Sequence, residues 1–426
     1  MNGSTSNAVA TGAEFDAIVV GTGPSGATVA RELSRRGKKI LILERGPDRR
    51  PRDGFQGFDA VRVNDQMIMP RGLIAGGTSA LYFAVAELPP LESFRSLGID
   101  LSEPLEEAKR ELPLAALPDR LIGPQAIRVH DSAVGLGLPW EKRTMLVDQT
   151  RCASGYSHEA KWSARTYLRE AVEHGAQLVS RAQVTRVLVD KSRSTGVEYR
   201  LQTGRKTFQV CRSYSSKVIL AAGALATPII LRDSGIRNVV NRGFYYHPSR
   251  AVFGIVPGLK ARDNFVACMG ADLEPDIALG DANGSRTLHR LIMLGEGQLL
   301  RMLQYSRSVG VAVVVKDRPG GELGADGRFH KPMTRAESAL LEKGVAFATK
   351  IVENAGGKSI YLSALVAAHM GGVVRIQEHV DRELQTEFGN LHVCDGSVIP
   401  EDFRLPPTLT LVCLGKYLAG RLMAGG

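Results

Sequence analysis

The chain has 426 residues, 44% hydrophobic and 23% charged, with 54 Lys and Arg against 44 Asp and Glu for a formal charge of +10. That is a globular composition, long enough for two or three domains. The basic residues are dispersed among acids with no aromatic-interleaved stripe, so nucleic acid is not an expected partner, and the surplus serves solubility and steering of anions.

The five cysteines, Cys152, Cys211, Cys268, Cys394 and Cys413, show no CxxC pair and no metal-ligand spacing. Neither a disulfide framework nor a metal site is expected, and the pattern fits a reducing, cytoplasmic setting. No run approaches the length of apolar sequence that a transmembrane segment needs.

Residues 1–14 are small and polar without an apolar run, which predicts a frayed tail and no signal peptide. Residues 16–20 read as a buried strand, 25–36 as a helix, and 39–43 as a second strand ending at Glu44. Between the first strand and the helix lies Gly21-Thr22-Gly23-Pro24-Ser25-Gly26. Gly21 makes the tight turn, Gly23 lets the backbone approach a pyrophosphate, and Gly26 allows close helix–strand packing. The pyrophosphate would sit on unpaired N–H groups at the helix start. Glu44 is placed to accept hydrogen bonds from a ribose diol. This unit predicts a dinucleotide site without separating FAD from NAD.

A charged, loop-rich stretch then runs to residue 69. In Arg71-Gly72-Leu73-Ile74-Ala75-Gly76-Gly77-Thr78-Ser79, adjacent glycines let the backbone press against a flat or phosphorylated group. Residues 91–180 read as mostly helical, for example 104–111 and 164–174, with Gly175 as a helix stop. Strand-like runs follow at 183–189, 196–201 and 208–213. A second strand–turn–helix covers 217–224, with Ala222-Gly223 at the turn, and continues over 226–234. Residues 241–365 change character, with apolar strands such as 311–315 between long polar loops, and form the candidate substrate domain. From residue 364 the chain is Gly-rich again. It ends in an amphipathic helix over 408–422, introduced by Pro406-Pro407.

Four blocks in this order resemble the glucose–methanol–choline (GMC) family of flavin-dependent oxidoreductases. They are the Gly21/Glu44 unit, the 71–79 loop, the 218–224 turn and a C-terminal pair of motifs. That pair is Ala368-His369-Met370-Gly371-Gly372 and Cys394-Asp395-Gly396-Ser397-Val398-Ile399-Pro400, leading into Pro407-Thr408-Leu409-Thr410-Leu411. Arg151-Cys152-Ala153-Ser154-Gly155, with Ala160-Lys161-Trp162-Ser163-Ala164-Arg165, is similar to the branch holding long-chain alcohol oxidases and sugar-acid dehydrogenases.

The resemblance implies an α/β fold: a Rossmann-like FAD-binding domain of the GMC and glutathione-reductase type, with a discontinuous α+β substrate domain. The FAD domain is expected over 15–90, 180–240 and 366–426, and the substrate or cap domain over 91–179 and 241–365. FAD, not NAD, would be held by Gly21, Gly23, Gly26, Glu44, Arg45, Arg71, Gly76, Gly77, Thr78, Ser79, Val184, Ala222, Gly223, Asp395, Gly396, Pro407 and Thr408. A helix starting at Thr408 would aim its positive end at the negative charge a reduced flavin acquires near N1.

His369 matches the family's base, which takes the substrate's hydroxyl proton while hydride leaves for flavin N5. An imidazole titrating near 6.5 suits that task. His247, in Tyr245-Tyr246-His247-Pro248, is read as structural. Pro406 stands where the family usually has a second His or Asn; Tyr82, His247 and Glu401 are alternative sources of that hydrogen bond. Ala80-Leu81-Tyr82 lacks the family's flavin-linking histidine, so non-covalent FAD is expected.

The implied activity is oxidation of CH–OH to C=O in a small-molecule alcohol such as a sugar, an aminoglycoside or another natural product. Oxygen, a quinone or a redox protein would reoxidise the flavin. A non-redox lyase carrying structural FAD is the alternative, and a flavin-binding sensor is disfavoured by the presence of His369.

Overall fold

Four successive buried residues, Ala17–Val20, run through the middle of a five-stranded parallel sheet. Both faces of this strand are covered, which is why it is apolar throughout and does not alternate. The computed structural model describes residues 14–49, 57–153, 155–236, 238–401 and 406–424. All of the expected tail except Glu14, together with Ser154, lies outside the described residues.

The strand order of the parallel sheet is Leu391–Val393, Val218–Leu220, Ala17–Val20, Ile40–Leu43, Gln177–Val179. Its register pairs Val20 with both Leu43 and Leu220, and Leu220 with Val393. The strands therefore end together, which brings Gly21, Glu44, Ala221 and Cys394 to one edge of the sheet. Neighbours on either side of the central strand lead away in opposite directions, and open α/β sheets bind ligands at such a switch point.

The helix Pro24–Ser34 begins with proline at its first turn. It packs against the C-terminal helix Thr408–Ala424, and Lys416 of that helix is buried beside Glu32, Glu107 and Glu111. Arg31 joins the same cluster through Glu111 at 2.7 Å and Glu170 at 2.5 Å.

A nine-stranded sheet forms the second layer. Its order is Phe58–Arg62, Ile68–Gly72, Val366–Ala367, Pro248–Ile255, Ser308–Val315, Ile277–Asp281, Met269–Glu274, Glu141–Lys142, with Lys358–Leu362 also paired to Pro248–Ile255. Val309, Val311, Val313 and Val315 are fully buried, and Arg335–Asn354 packs over this strand with Leu341, Gly344, Ala348 and Ile351 at helical spacing. That helix starts at a capping box in which Thr334 and Glu337 bond each other's backbone. A separate three-stranded antiparallel sheet holds Ala182–Asp190, Arg193–Gln202 and Phe208–Tyr214.

The sheets correct the expected organisation at four places. Gln177–Val179, assigned by the sequence to the cap segment ending at 179, extends the nucleotide-side parallel sheet. Phe58–Arg62 and Ile68–Gly72, assigned to the nucleotide segment, join the antiparallel sheet. Residues 91–180 are less helical than expected, because Leu114–Ala116, Glu141–Lys142 and Thr144–Leu146 are strands. The 20-residue helix Arg335–Asn354 replaces part of what read as polar loop.

Candidate active site

The glycine turn is held by its own side-chain neighbours. The Glu44 carboxylate accepts from the Thr22 N–H at 3.2 Å, from the Thr22 hydroxyl, and from the Gly46 N–H at 2.6 Å. Thr22 in turn accepts from the Gly76 N–H at 3.0 Å, which ties the second glycine loop to the first. Ser79 closes that loop by donating to the Gly76 carbonyl at 2.6 Å. Glu44 therefore braces the turn from a buried position. Burial raises its pKa, against hydrogen bonds from Thr22 and Gly46 that lower it.

Gly21 has φ 101°, and a Cβ there would lie 2.2 Å from the Ala221 carbonyl oxygen. A Cβ on Gly26 would meet the Gly21 carbonyl oxygen at 2.3 Å, consistent with its expected packing role. Gly23 differs, because a Cβ there would touch nothing within 4 Å. Gly77 faces Gly23 from the other loop, its own Cβ position 3.0 Å from the Gly23 Cα. Gly23 thus leaves open space beside a helix N-terminus, where unpaired N–H groups favour an anion.

Near this space, Arg71 pairs with Asp59 at 2.7 Å, and partial burial together with the Arg71 charge lowers the pKa of Arg45. Thr78 is exposed and accepts from the Gly72 N–H at 3.2 Å. Val184 is buried on the strand that follows the Ala182 N–H bond to the Glu44 carbonyl at 2.8 Å. Pro407 is half-buried, and the following Thr408 is buried at the start of the C-terminal helix.

Asp395 joins the second turn to the C-terminal motif. One carboxylate oxygen accepts from the Gly223 N–H at 2.8 Å and from the Thr227 hydroxyl. The other accepts from Ser397, at 2.9 Å from its N–H and 2.6 Å from its hydroxyl. Four donors use the carboxylate's bonding capacity. What this side chain does is therefore hold the Gly223 turn and the 396–398 turn in place. A Cβ on Gly223 would touch nothing within 4 Å, so this turn too faces open space. Ser25 of the first helix donates to the Cys394 carbonyl at 2.5 Å and ties the two motifs together.

His369 lies between two backbone segments. On one side its N–H bonds the Tyr246 carbonyl at 3.3 Å, and the Ala368 N–H bonds the His247 carbonyl at 3.0 Å. On the other, the Gly372 N–H bonds the Ile399 carbonyl at 3.1 Å, and Gly396 lies against the Met370 carbonyl. Gly371 must lack a side chain, since a Cβ would fall 2.0 Å from the Tyr245 hydroxyl oxygen. His369 is half-buried, its Nδ1 is sealed without a hydrogen-bond partner, and burial lowers its pKa to about 4. The ring is thus neutral at ordinary pH, one residue from the Met370 carbonyl that lies against Gly396.

His247, read from the sequence as structural at the opening of the substrate domain and as one of three alternatives for the second hydrogen bond, has its ring centroid 6.2 Å from that of His369. Pairing of Pro248 with Ala367 brings the two histidines together. The other candidates to replace the side chain missing at Pro406 are engaged elsewhere. Tyr82 donates to the Trp162 carbonyl at 2.7 Å, and Glu401 pairs with Arg375 at 2.7 Å. An open cavity of about 760 Å³ borders Ala86, Leu88, Arg143 and Leu409, the second residue of the C-terminal helix.

Sequence reasoning missed Thr22, whose signal was a hydroxyl inside the glycine turn. It also missed Asp317, buried under the 246–247 backbone, which has no local motif.

Comparison with known proteins agrees with this architecture. A GMC oxidoreductase family model matches residues 108–249, and an NAD(P)-binding Rossmann-like domain model matches 19–49. Long-chain-alcohol oxidase FAO3 of Arabidopsis thaliana is 23% identical over 514 aligned residues, covering 96% of this chain and 68% of the relative. A GMC-type oxidoreductase of Mycobacterium tuberculosis is 28% identical over 273 residues, covering 56% of this chain and 42% of its own length. The chain thus spans about two thirds of the plant relative and under half of the mycobacterial one.

Among solved structures, pyridoxine 4-oxidase from Mesorbium loti superposes with TM-score 0.70 at 13% identity, covering 96% of this chain and 99% of that one. A formate oxidase from Aspergillus oryzae, studied for modification of its FAD, gives TM-score 0.70 at 14% identity, with 97% and 99% covered. No helix among the described residues is long and apolar enough to cross a membrane. The GMC oxidoreductase domain matched within the chain and the long-chain-alcohol oxidase relatives together support membership of the GMC oxidoreductase family of flavoenzymes.

Proposed function

We propose that this chain binds FAD non-covalently and oxidises the CH–OH group of a small-molecule alcohol to a carbonyl, with His369 as the base. The observation that carries the reading is the neutral, uncommitted His369 ring held next to the Asp395–Gly396 turn. The residues fit the cofactor, since Gly23 and Gly223 both leave open space where a phosphate-bearing chain would pass. Bound there, FAD supplies the hydride acceptor.

The residues of the chain divide the remaining work. Gly21 shapes the turn and Gly26 the helix packing, Gly23, Gly76, Gly77 and Thr78 border the pyrophosphate, and Ser79 braces the second loop. Glu44 meets the ribose, Arg45 and Arg71 add positive charge, and Val184 offers backbone to adenine. Ala222, Gly223, Asp395 and Gly396 hold the second turn, while Pro407 and Thr408 open the helix whose positive end favours a reduced flavin. His369 takes the proton of the substrate hydroxyl, leaving an alkoxide-like oxygen from whose carbon hydride departs.

Sugars, aminoglycosides and other natural-product alcohols are the proposed substrate class, approached through an open pocket, with oxygen, a quinone or a redox protein as acceptor. An anaerobic screen of alcohols for bleaching of the flavin tests the reaction, and reoxidation by air or quinone sorts the acceptors. A His369→Ala variant that binds FAD yet is reduced at the wild-type rate would remove the base assignment. Flavin that never bleaches while a substrate is still cleaved would instead identify a lyase. Acid precipitation should release the yellow colour into the supernatant; colour retained in the pellet would mean a covalent bond.

A further inference from the structure

His247 has three features that a packing residue does not need. Its φ is 49°, a left-handed conformation that persists in a non-glycine residue only where the surroundings enforce it. They do so here. Asp317 accepts from the N–H groups of His247 and Tyr246 at 2.7 and 3.1 Å, and Lys331 anchors Asp317 from below. Both ring nitrogens of His247 are buried without a protein partner, although buried polar groups are nearly always paired. The ring stacks on Tyr245 at 4.7 Å and meets His369 edge-on. The Nδ1 of His369 is the third partnerless nitrogen of the two adjoining rings.

A water bridging two nitrogens through two hydrogen bonds of about 2.7–3.2 Å spans roughly 4.4–5.2 Å at a tetrahedral angle, and up to about 6.4 Å when linear. Ring centroids 6.2 Å apart, with the nitrogens lying off-centre in each ring, leave nitrogen–nitrogen separations that include this span. Such a water would meet the usual requirement of at least two polar partners. The bond made by one ring nitrogen of a histidine sets which nitrogen carries the proton.

We propose that His247 is a positioning residue, accepting through one internal water from His369 Nδ1–H and so leaving His369 Nε2 unprotonated toward the substrate. The inference rests on the reading of His369 as the base. His247 itself stays neutral and able to accept. Burial, the adjoining His369, and the charges of Lys316 and Lys331 all disfavour its protonated form. Asp317 is the acid that faces it, with its charge shared by Lys331, while Tyr245 covers the other face of the ring. In this way a residue from the 245–248 segment supplies the support that Pro406 cannot.

The test is long-range ¹H–¹⁵N NMR of ¹⁵N-histidine-labelled holoprotein, with the His369 signal identified by its loss in His369→Gln. Wild-type His369 is expected as the Nδ1–H tautomer; finding the Nε2–H tautomer overturns the proposal without any variant of His247. His247→Phe should shift the tautomer and lower kcat roughly 10- to 100-fold, with KM and FAD content little changed. His247→Asn keeps a polar group near Nδ1 and suits a left-handed backbone, so it should recover most of that loss. An unchanged tautomer in His247→Phe, or equal impairment in both variants at wild-type FAD content, refutes the role. A tautomer that shifts as expected in a protein no alcohol reduces upholds the His247 inference and sinks the oxidation reading instead.

Discussion

Replacing Asp395 by Asn tests whether the second turn is held by a carboxylate or only by shape. The two residues are nearly isosteric, but Asn has one acceptor oxygen where Asp395 has two. If the amide nitrogen faces Gly223, its N–H loses its 2.8 Å partner; if it faces Ser397, that N–H loses its 2.9 Å partner. Either way one buried backbone donor is orphaned, which costs about 1–3 kcal/mol, and the remaining bonds lose their charge assistance. Part of this is offset because burial already raises the Asp395 pKa, so removing the charge relieves desolvation. The net expectation is a loss of roughly 2–4 kcal/mol. Guanidinium unfolding of the apoprotein measures it, and flavin fluorescence measures FAD dissociation, which should weaken at least tenfold as the Gly223 turn loosens. A loss below about 0.5 kcal/mol with unchanged FAD affinity would show that the tie is not what holds the turn.

Gly21→Ala and Gly23→Ala should separate folding from binding. The first places a Cβ against the Ala221 carbonyl at positive φ and should destabilise the apoprotein by on the order of 3 kcal/mol; the second meets no protein atom and should leave its Tm unchanged while weakening FAD. A Gly23→Ala protein that binds FAD like wild type would refute the pyrophosphate site at Gly23. With His369 depressed to about 4 by burial, kcat/KM should stay flat from neutrality down to about pH 5 and fall below it; an acid limb at 6.5 would show an unshifted ring. Asp281 acts in the opposite sense on stability. Burial raises it to about 7, against the bond from the Met269 N–H, so between about pH 4 and 7 the folded state holds a proton that the unfolded state has released. Stability should therefore fall by up to roughly 4 kcal/mol as pH rises through that window. Asp281→Asn should flatten the slope in urea titrations, and an unaltered slope would count against the assignment.

The glycine turn was legible because its signal is local. Within a few residues the strand, the turn and the helix are each dictated by apolar runs, missing side chains and a proline at the helix start. The domain boundaries were harder to read, because the strands that decide them are two to five residues long and take partners from remote segments. Val366–Ala367 pairs with Ile68–Gly72 on one side and Pro248–Ile255 on the other, and nothing in two residues announces either partner. The helix Arg335–Asn354 did carry a local signal in Thr334 and Glu337, which went unread beside the surrounding polar residues.

The histidine pair shows most plainly where sequence reading stops. His369 was singled out by the motif around it, whereas His247 read as a structural residue where the substrate domain opens. What joins them is register: with Pro248 opposite Ala367, residue 247 can only fall beside 368 and 369. The departure at Pro406 pointed to a missing hydrogen-bonding side chain but not to its replacement. Tyr82 and Glu401 were equal candidates until the Trp162 carbonyl and Arg375 were seen to engage them. The antiparallel pairing favours His247 for the proposed role, because it places that ring, with both nitrogens unpartnered, against His369. A contact made by register has no sequence motif of its own. The structural clue is the strained backbone at His247, held in place by Asp317 from beneath.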